Sequence, residues 1–175
     1  NRYMTENLRF LFASVDAPPR SGGVANLAFN VANELAKHSE ISIFLGPSGT
    51  HFSGLRSRLD LIEDHNSDVR FRDGERGLVE DERIQDLFLR VLENYELNNL
   101  MLMHPFYYGM GGFRAAQHLG ISKSLYLHGT ELTSQFPTLI DGAKPDQDSS
   151  PSGSLGARLL ETIEMADHVF TNSHF

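Results

Sequence analysis

The sequence predicts an α/β protein: a single Rossmann-like domain in which a mostly parallel sheet carries helices on both faces. Two observations predict this fold. Short apolar runs alternate with helical periodicity along most of the 175 residues, and the runs are almost continuously apolar, as in strands that helices bury on both sides. Because 40% of the residues are hydrophobic, one core can account for the whole length. We therefore expect one domain over residues 1–175.

Six apolar runs are expected to form the strands. They are Leu8–Val15, Ile41–Leu45, Val69–Phe71, Leu100–Met103, Ser124–Leu127 and Val169–Asn172. The segment Gly46-Pro47-Ser48-Gly49-Thr50 resembles a phosphate-binding loop but lacks the lysine of that motif, so it predicts a turn.

Helical periodicity separates these runs. The first helix opens after Gly22-Gly23, with a predicted buried stripe of Val24, Leu27, Ala28, Val31 and Leu35. A weaker pattern predicts a helix over Phe52–His65. The clearest helix follows the acidic turn Glu80-Asp81-Glu82 and carries on one face Ile84, Leu87, Phe88, Val91, Leu92 and Tyr95. Two more are expected: Gly109–Leu119, with Met110 and Phe113 inward, and Ser154–Ala166, with Leu155, Leu159, Leu160 and Ile163 inward.

Composition excludes several classes of function. The formal charge of −8, without a basic run, argues against a nucleic-acid or anionic-membrane surface. No cysteine is present, so the chain can form neither a disulfide nor a thiolate zinc site. No apolar run approaches the roughly 20 residues of a membrane-spanning helix, and the segment Asn1–Glu6 lacks the apolar core of a secretory signal. A cytoplasmic location is expected.

The segment from Gly129 to Gly153 is the longest predicted connection, and it contains three prolines. A loop of this length at the ligand edge of a sheet is typically functional or disordered. We expect Thr130–Leu139 to be ordered against a cleft and the polar remainder to be mobile.

The pair Gly22-Gly23 lies between an apolar strand and an amphipathic helix. Glycines let a backbone approach a ligand closely, and the first turn of a helix presents unpaired N–H groups that suit a phosphate or carboxylate. The alternative is a tight connection between strand and helix. Neither G-x-G-x-x-G after the first strand nor the phosphate-loop motif is present.

His104 and His128 each terminate an apolar run, so both imidazoles are expected at the ligand edge, where they can bind hydroxyl groups. The alternative is that each bonds a neighbouring loop carbonyl. Glu131 would add a carboxylate to this edge, and Phe106-Tyr107-Tyr108 would add an aromatic surface. The alternative is that Glu131 is a solvated loop residue and that the three aromatic residues belong to the core. Two histidines without a third ligand do not predict a metal site. Neither a serine-hydrolase elbow nor a glycosidase carboxylate pair is found.

The order of these motifs resembles the N-terminal half of retaining GT-B glycosyltransferases of the family-4 type. The resemblance rests on Gly22-Gly23 after the first strand, a helix ending in Glu34-Leu35-Ala36-Lys37, a strand ending in His104, another ending in His128-Gly129-Thr130-Glu131, and the segment Ala166-Asp167-His168-Val169-Phe170-Thr171-Asn172-Ser173. It spans nearly the whole chain.

The resemblance implies the acceptor-side domain of an enzyme that transfers a sugar from a nucleotide-sugar donor to a glycan or other hydroxyl acceptor, with retention. Gly22 and Gly23 would bind the donor diphosphate, and His128 would be the active-site histidine beside the donor sugar. The expected acceptor-side residues are His104, Tyr107, Thr130 and Glu131. No metal and no cofactor are implied, since the nucleotide sugar is a substrate.

The C-terminal, donor-binding domain of that family and its paired glutamates are absent from this chain. We therefore expect the isolated chain not to catalyse transfer. Two alternatives remain open: a non-catalytic carbohydrate- or partner-binding module, and a GT-B-fold epimerase of nucleotide sugars.

Overall fold

Six parallel strands form one sheet in the computed structural model, which describes residues 7–19, 22–52, 56–66, 81–105, 107–128 and 159–171. In chain order the strands are β1 (Arg9–Ala13), β2 (Ile41–Pro47), β3 (Asp60–Asp64), β4 (Asn99–Leu102), β5 (Ser122–Leu127) and β6 (His168–Thr171). Their order across the sheet is β3-β2-β1-β4-β5-β6, and every neighbouring pair is parallel. The predicted Rossmann-like α/β class is confirmed.

Helices cover both faces of the sheet. They are α1 (Gly23–Leu35), which continues into the 3₁₀ turn Ala36–His38, then α2 (Asp81–Asn94) and α3 (Gly109–His118); residues 159–165 are also helical. Side chains alternate along β1, so Leu11 and Ala13 pack with α2 and α3 whereas Phe12 packs with α1 on the other face. None of the helices in the described ranges is long and apolar enough to cross a membrane.

The predicted buried stripe of α1 is wrong in phase. The helix buries Ala25, Ala28, Phe29 and Ala32, and only Ala28 belongs to the prediction. Val31 and Leu35 are partly buried at the margin of the same cluster. The small alanines let α1 lie close to the sheet, so the larger aliphatic side chains are displaced to the flanks.

β3 contradicts the helix predicted over residues 52–65. The segment Asp-Leu-Ile-Glu-Asp pairs in parallel with β2, with Phe44 opposite Leu61 and Leu45 opposite Ile62. It is an edge strand with acidic residues at both ends. Because these acids interrupt the apolar residues, the sequence shows no apolar run that would predict a strand. The strand predicted at Val69–Phe71 lies outside the described residues.

α3 depends on glycines that bring it against its neighbours. A Cβ at Gly111 would lie 2.6 Å from Cγ2 of Ile84 and 2.7 Å from the carbonyl oxygen of Asp81, and one at Gly112 would lie 2.9 Å from the ring of Phe88. Both positions therefore require glycine for α3 to pack on α2. The predicted inward residues of α3, Met110 and Phe113, are buried.

Two predicted core residues are exposed. Tyr95, expected on the buried face of α2, lies just beyond the end of that helix and is 43% exposed. Leu160 is 37% exposed, whereas Leu159 is buried and Ile163 packs against the core. Of the four inward residues predicted for that last helix, Leu155 lies outside the described residues.

Candidate functional site

The candidate site lies at the carboxyl ends of the strands, beside the point where the strand order reverses. β1 has β2 on one side and β4 on the other, and ligands of doubly wound sheets bind in the crevice at such a reversal. Gly22 and Gly23 follow β1, and His104 follows β4; His128 follows the next strand, β5. Thr130 and Glu131 lie outside the described residues, as does the remainder of the predicted loop to residue 153.

The local backbone does not require the two glycines that precede and open α1. Gly22 has a φ of 170°, which is extended backbone open to any residue, and Gly23 is the first residue of the helix. Within the described ranges, a Cβ at Gly23 would meet no atom within 4 Å beyond its chain neighbours. Among the described residues, therefore, neither backbone strain nor packing requires a glycine at either position.

Asp16 is a candidate that sequence reasoning missed. Its Oδ2 lies 3.9 Å from the position of a Cβ at Gly22, close to the N-terminus of α1. The buried Ser14 fixes this turn: its hydroxyl donates to the carbonyl of Asp16 at 2.7 Å and accepts from the Asp16 N–H at 3.2 Å. The pattern that could have identified Asp16 is Ser14-Val15-Asp16, a Ser-x-Asp sequence directly after a buried strand.

The Asp16 carboxylate decides what can bind beside Gly22. A helix N-terminus stabilises a carboxylate, but two anions at one place repel each other. A hydroxyl group can donate a hydrogen bond to Asp16, whereas a phosphate next to this carboxylate is repelled.

The structure brings His104 and His128 together. Their ring centroids lie 6.1 Å apart with the planes inclined by 26°, and the ring of Tyr126 lies 5.2 Å from that of His128. Nε2 of His128 donates to the carbonyl oxygen of Met103 at 2.5 Å. That carbonyl only accepts, so Nε2 carries the proton and the orientation of the ring is fixed. The alternative of a bond to a loop carbonyl is thus observed for His128, and it serves to aim the ring.

Burial lowers the pKa of His104 to about 3, and the positive charge that His128 can carry adds to this effect. His104 is therefore neutral across the physiological range. A neutral imidazole can both accept and donate a hydrogen bond, which suits a hydroxyl ligand better than an anion.

Tyr107 lies three residues after His104 but makes its polar contact elsewhere. Its hydroxyl accepts from Nη2 of Arg83 at 2.6 Å, and Arg83 in turn binds the buried Asp64 at the end of β3. The φ of Tyr107 is +64°, in the left-handed region that a residue with a side chain enters at a cost of about 1–3 kcal/mol. Phe106 lies outside the described residues.

The described parts of the chain hold no group of three or more His, Cys, Asp or Glu side chains that could bind a metal ion.

Comparison with solved structures shows the fold. Over 98% of its length the chain is similar to 49% of Phytolacca americana UGT2 complexed with UDP-2fluoro-glucose and pterostilbene, with 15% sequence identity and a TM-score of 0.60. It is also similar, again over 98% of its length, to 54% of the Bordetella bronchiseptica enzyme WbmG in complex with NAD, with 12% identity and a TM-score of 0.50. The chain thus spans about half the length of these proteins. No family model and no curated protein sequence matches it. The chain shares the Rossmann-like α/β fold of these structures.

Proposed function

We propose that the chain is the N-terminal, acceptor-side domain of a GT-B glycosyltransferase that transfers a sugar from a nucleotide-sugar donor to a hydroxyl acceptor with retention. The observation that carries this proposal is the pair of imidazoles at the ends of β4 and β5, beside the reversal in strand order. One ring is aimed by Met103 and the other is kept neutral by burial. Together they form a surface for hydroxyl groups at the edge where ligands bind.

The donor is proposed to lie between His128 and the start of α1. Backbone N–H groups at Gly22 and Gly23 would bind the diphosphate, and His128 would bind a hydroxyl of the transferred sugar. Asp16 would accept a hydrogen bond from a hydroxyl beside the diphosphate. Developing negative charge on a departing diphosphate can be stabilised by helix N-termini without a metal, so neither a metal nor a cofactor is proposed.

The acceptor is proposed to lie along the segment after β4 and the segment after β5. His104 and Tyr107 would contribute from the first, and Thr130 and Glu131 from the second. The UGT2 structure contains UDP-2fluoro-glucose together with pterostilbene, and this chain is similar to 49% of it. A second, donor-binding half would supply the remaining contacts, so the isolated chain should be inactive.

The test is a transfer assay on the protein at its full natural length, comparing His128→Ala with the wild type. The control is His118→Ala at the exposed end of α3. Loss of a transition-state contact is expected to lower kcat/KM about 100-fold or more in His128→Ala and to leave the control unchanged. The anomeric configuration of the product, read by NMR, decides retention. Wild-type rates in His128→Ala would contradict the role given to this residue.

The remaining alternatives make different predictions. An epimerase would convert the nucleotide sugar without an acceptor, and a binding module would bind glycans saturably without a donor. WbmG is an enzyme complexed with NAD, but this chain lacks G-x-G-x-x-G after β1, and β2 ends in Gly46-Pro47 rather than in the acid that binds a ribose. These features disfavour an NAD-binding site, and the need for an acceptor separates the transferase from a GT-B-fold epimerase.

A further inference from the structure

The cluster formed by Asp64, Arg83, Tyr107 and Tyr108 lies at the same edge of the sheet as the candidate site but contains neither histidine. Asp64 ends β3 and is 3% exposed. Its carboxylate accepts two bonds from the Arg83 guanidinium, at 3.0 and 3.2 Å. A buried carboxylate needs such a partner, and the two-pronged geometry fixes the plane of the guanidinium.

The fixed guanidinium holds the segment that follows β4. Nη2 of Arg83 donates to the Tyr107 hydroxyl at 2.6 Å, and the Tyr108 hydroxyl donates to Asp64 at 3.4 Å. The two tyrosine rings also contact each other edge to face, with centroids 4.9 Å apart. Two consecutive residues are therefore bound to one ion pair that belongs to β3 and α2.

The backbone at this place needs that support. Tyr107 has a φ of +64°, a conformation that persists in a residue with a side chain only when its surroundings hold it. Tyr107 lies between His104 and the start of α3. Its side chain, moreover, is partly buried against the core cluster and cannot turn outward without giving up that contact.

We propose that Arg83 is a positioning residue: through its bond to Tyr107 it fixes the segment after β4 and thereby holds His104 against His128. The role of this geometry in sugar transfer depends on the proposed function. The positioning itself does not.

Two variants test the positioning in the protein at its full natural length. Tyr107→Phe removes only the hydroxyl that Arg83 binds and leaves the ion pair intact. The double variant Asp64→Asn/Arg83→Met removes the whole anchor without leaving a buried charge alone. Tyr108→Phe is the matched control, because it deletes a hydroxyl from the same cluster while Arg83 keeps its bond to Tyr107.

The measurement is the pKa of His104, followed by NMR of histidine-labelled protein. In the wild type and in Tyr108→Phe we expect it near 3. In Tyr107→Phe it should rise by about 1 or more toward the ordinary value of 6.5, because a released segment exposes the ring to water, and in the double variant it should rise further. A pKa near 3 in both test variants overturns the proposal.

Kinetics separate the two proposals. If the protein transfers sugar, the double variant Asp64→Asn/Arg83→Met, which leaves the Tyr107 side chain in place, should raise KM for the acceptor several-fold while KM for the donor stays within twofold. If no transfer is found, the proposed function fails, and the pKa of His104 still decides whether Arg83 positions this segment.

Discussion

His104 and His128 face each other from the ends of neighbouring strands, with ring centroids 6.1 Å apart. Burial is the main cost of a positive charge on His104 and lowers its pKa, and a charge on the neighbouring His128 adds to that cost. At least one of the two imidazoles, His104, therefore remains neutral at physiological pH. A neutral imidazole can hydrogen-bond an uncharged hydroxyl group.

The first prediction concerns acid stability. The folded pKa of His104, about 3, lies below its ordinary value of 6.5, so the unfolded chain binds more protons between these two values. The stability that depends on neutral His104 is complete above pH 6.5 and decreases as the pH falls toward 3. His104→Gln should therefore flatten the loss of unfolding free energy in this window, by up to about 1.4 kcal/mol per pH unit. Urea unfolding from pH 4 to 7 measures it, with exposed His38→Gln as the control; parallel curves for His104→Gln and wild type would refute it.

The second prediction concerns the packing of α3 on α2. Gly111→Ala should lower the unfolding free energy by about 1–2 kcal/mol, because the steric clash with Ile84 and the Asp81 carbonyl exceeds the gain in helix propensity. Denaturant midpoints of the variant and the wild type decide it. A more stable Gly111→Ala protein would mean that the two helices can move apart freely.

The third prediction separates ligand binding from packing at the start of α1. Gly23→Ala should leave the free energy of unfolding within about 0.5 kcal/mol of wild type, because its Cβ would meet no atom of the described residues within 4 Å beyond its chain neighbours. It should nevertheless weaken nucleotide-sugar binding about 10-fold, by placing a methyl group where the diphosphate is proposed to approach. Calorimetric titration with the sugar nucleotide and with its free diphosphate measures the effect. Equal affinities in variant and wild type would remove Gly23 from the proposed donor site.

The fourth prediction concerns the buried ion pair. Asp64→Ala should cost about 3 kcal/mol, near the lower end for a broken buried pair, because Arg83 remains partly exposed and can recover some hydration. The exposed pair of Arg114 and Glu161 is the comparison, and Glu161→Gln should cost under about 1 kcal/mol. Similar losses in the two variants would show that Asp64 does not act as a buried charge.

Strand positions could be predicted wherever a strand carries an apolar run, and this includes the exposed edge strand β6. β1, β2, β4 and β5 are central strands, and their apolar runs stand out from the sequence. β3 is an edge strand of the described sheet, and its Asp-Leu-Ile-Glu-Asp segment lacks such a run, so the sequence predicts a helix there instead. The strand was recognisable only from its partner, since Leu61 and Ile62 gain their environment by pairing with β2.

The candidate site could be predicted only in part. His104 and His128 were found because strand ends in a parallel sheet meet at one edge, a rule that sequence order alone supplies. Asp16 could not be predicted, because its closeness to Gly22 is a distance in space that the sequence does not contain. The bond from Arg83 to Tyr107 could not be predicted either. It depends on where Asp64 holds the Arg83 guanidinium, which the sequence does not state.

The glycines of this chain differ in what a comparison of homologous sequences would reveal. Gly111 should stay invariant among all relatives that keep the fold, whatever reaction they perform, because a neighbouring helix fills the space. Gly23 has no such constraint from within the described residues. If Gly23 is nevertheless conserved, selection acts there on contact with another molecule rather than on the packing of the protein itself.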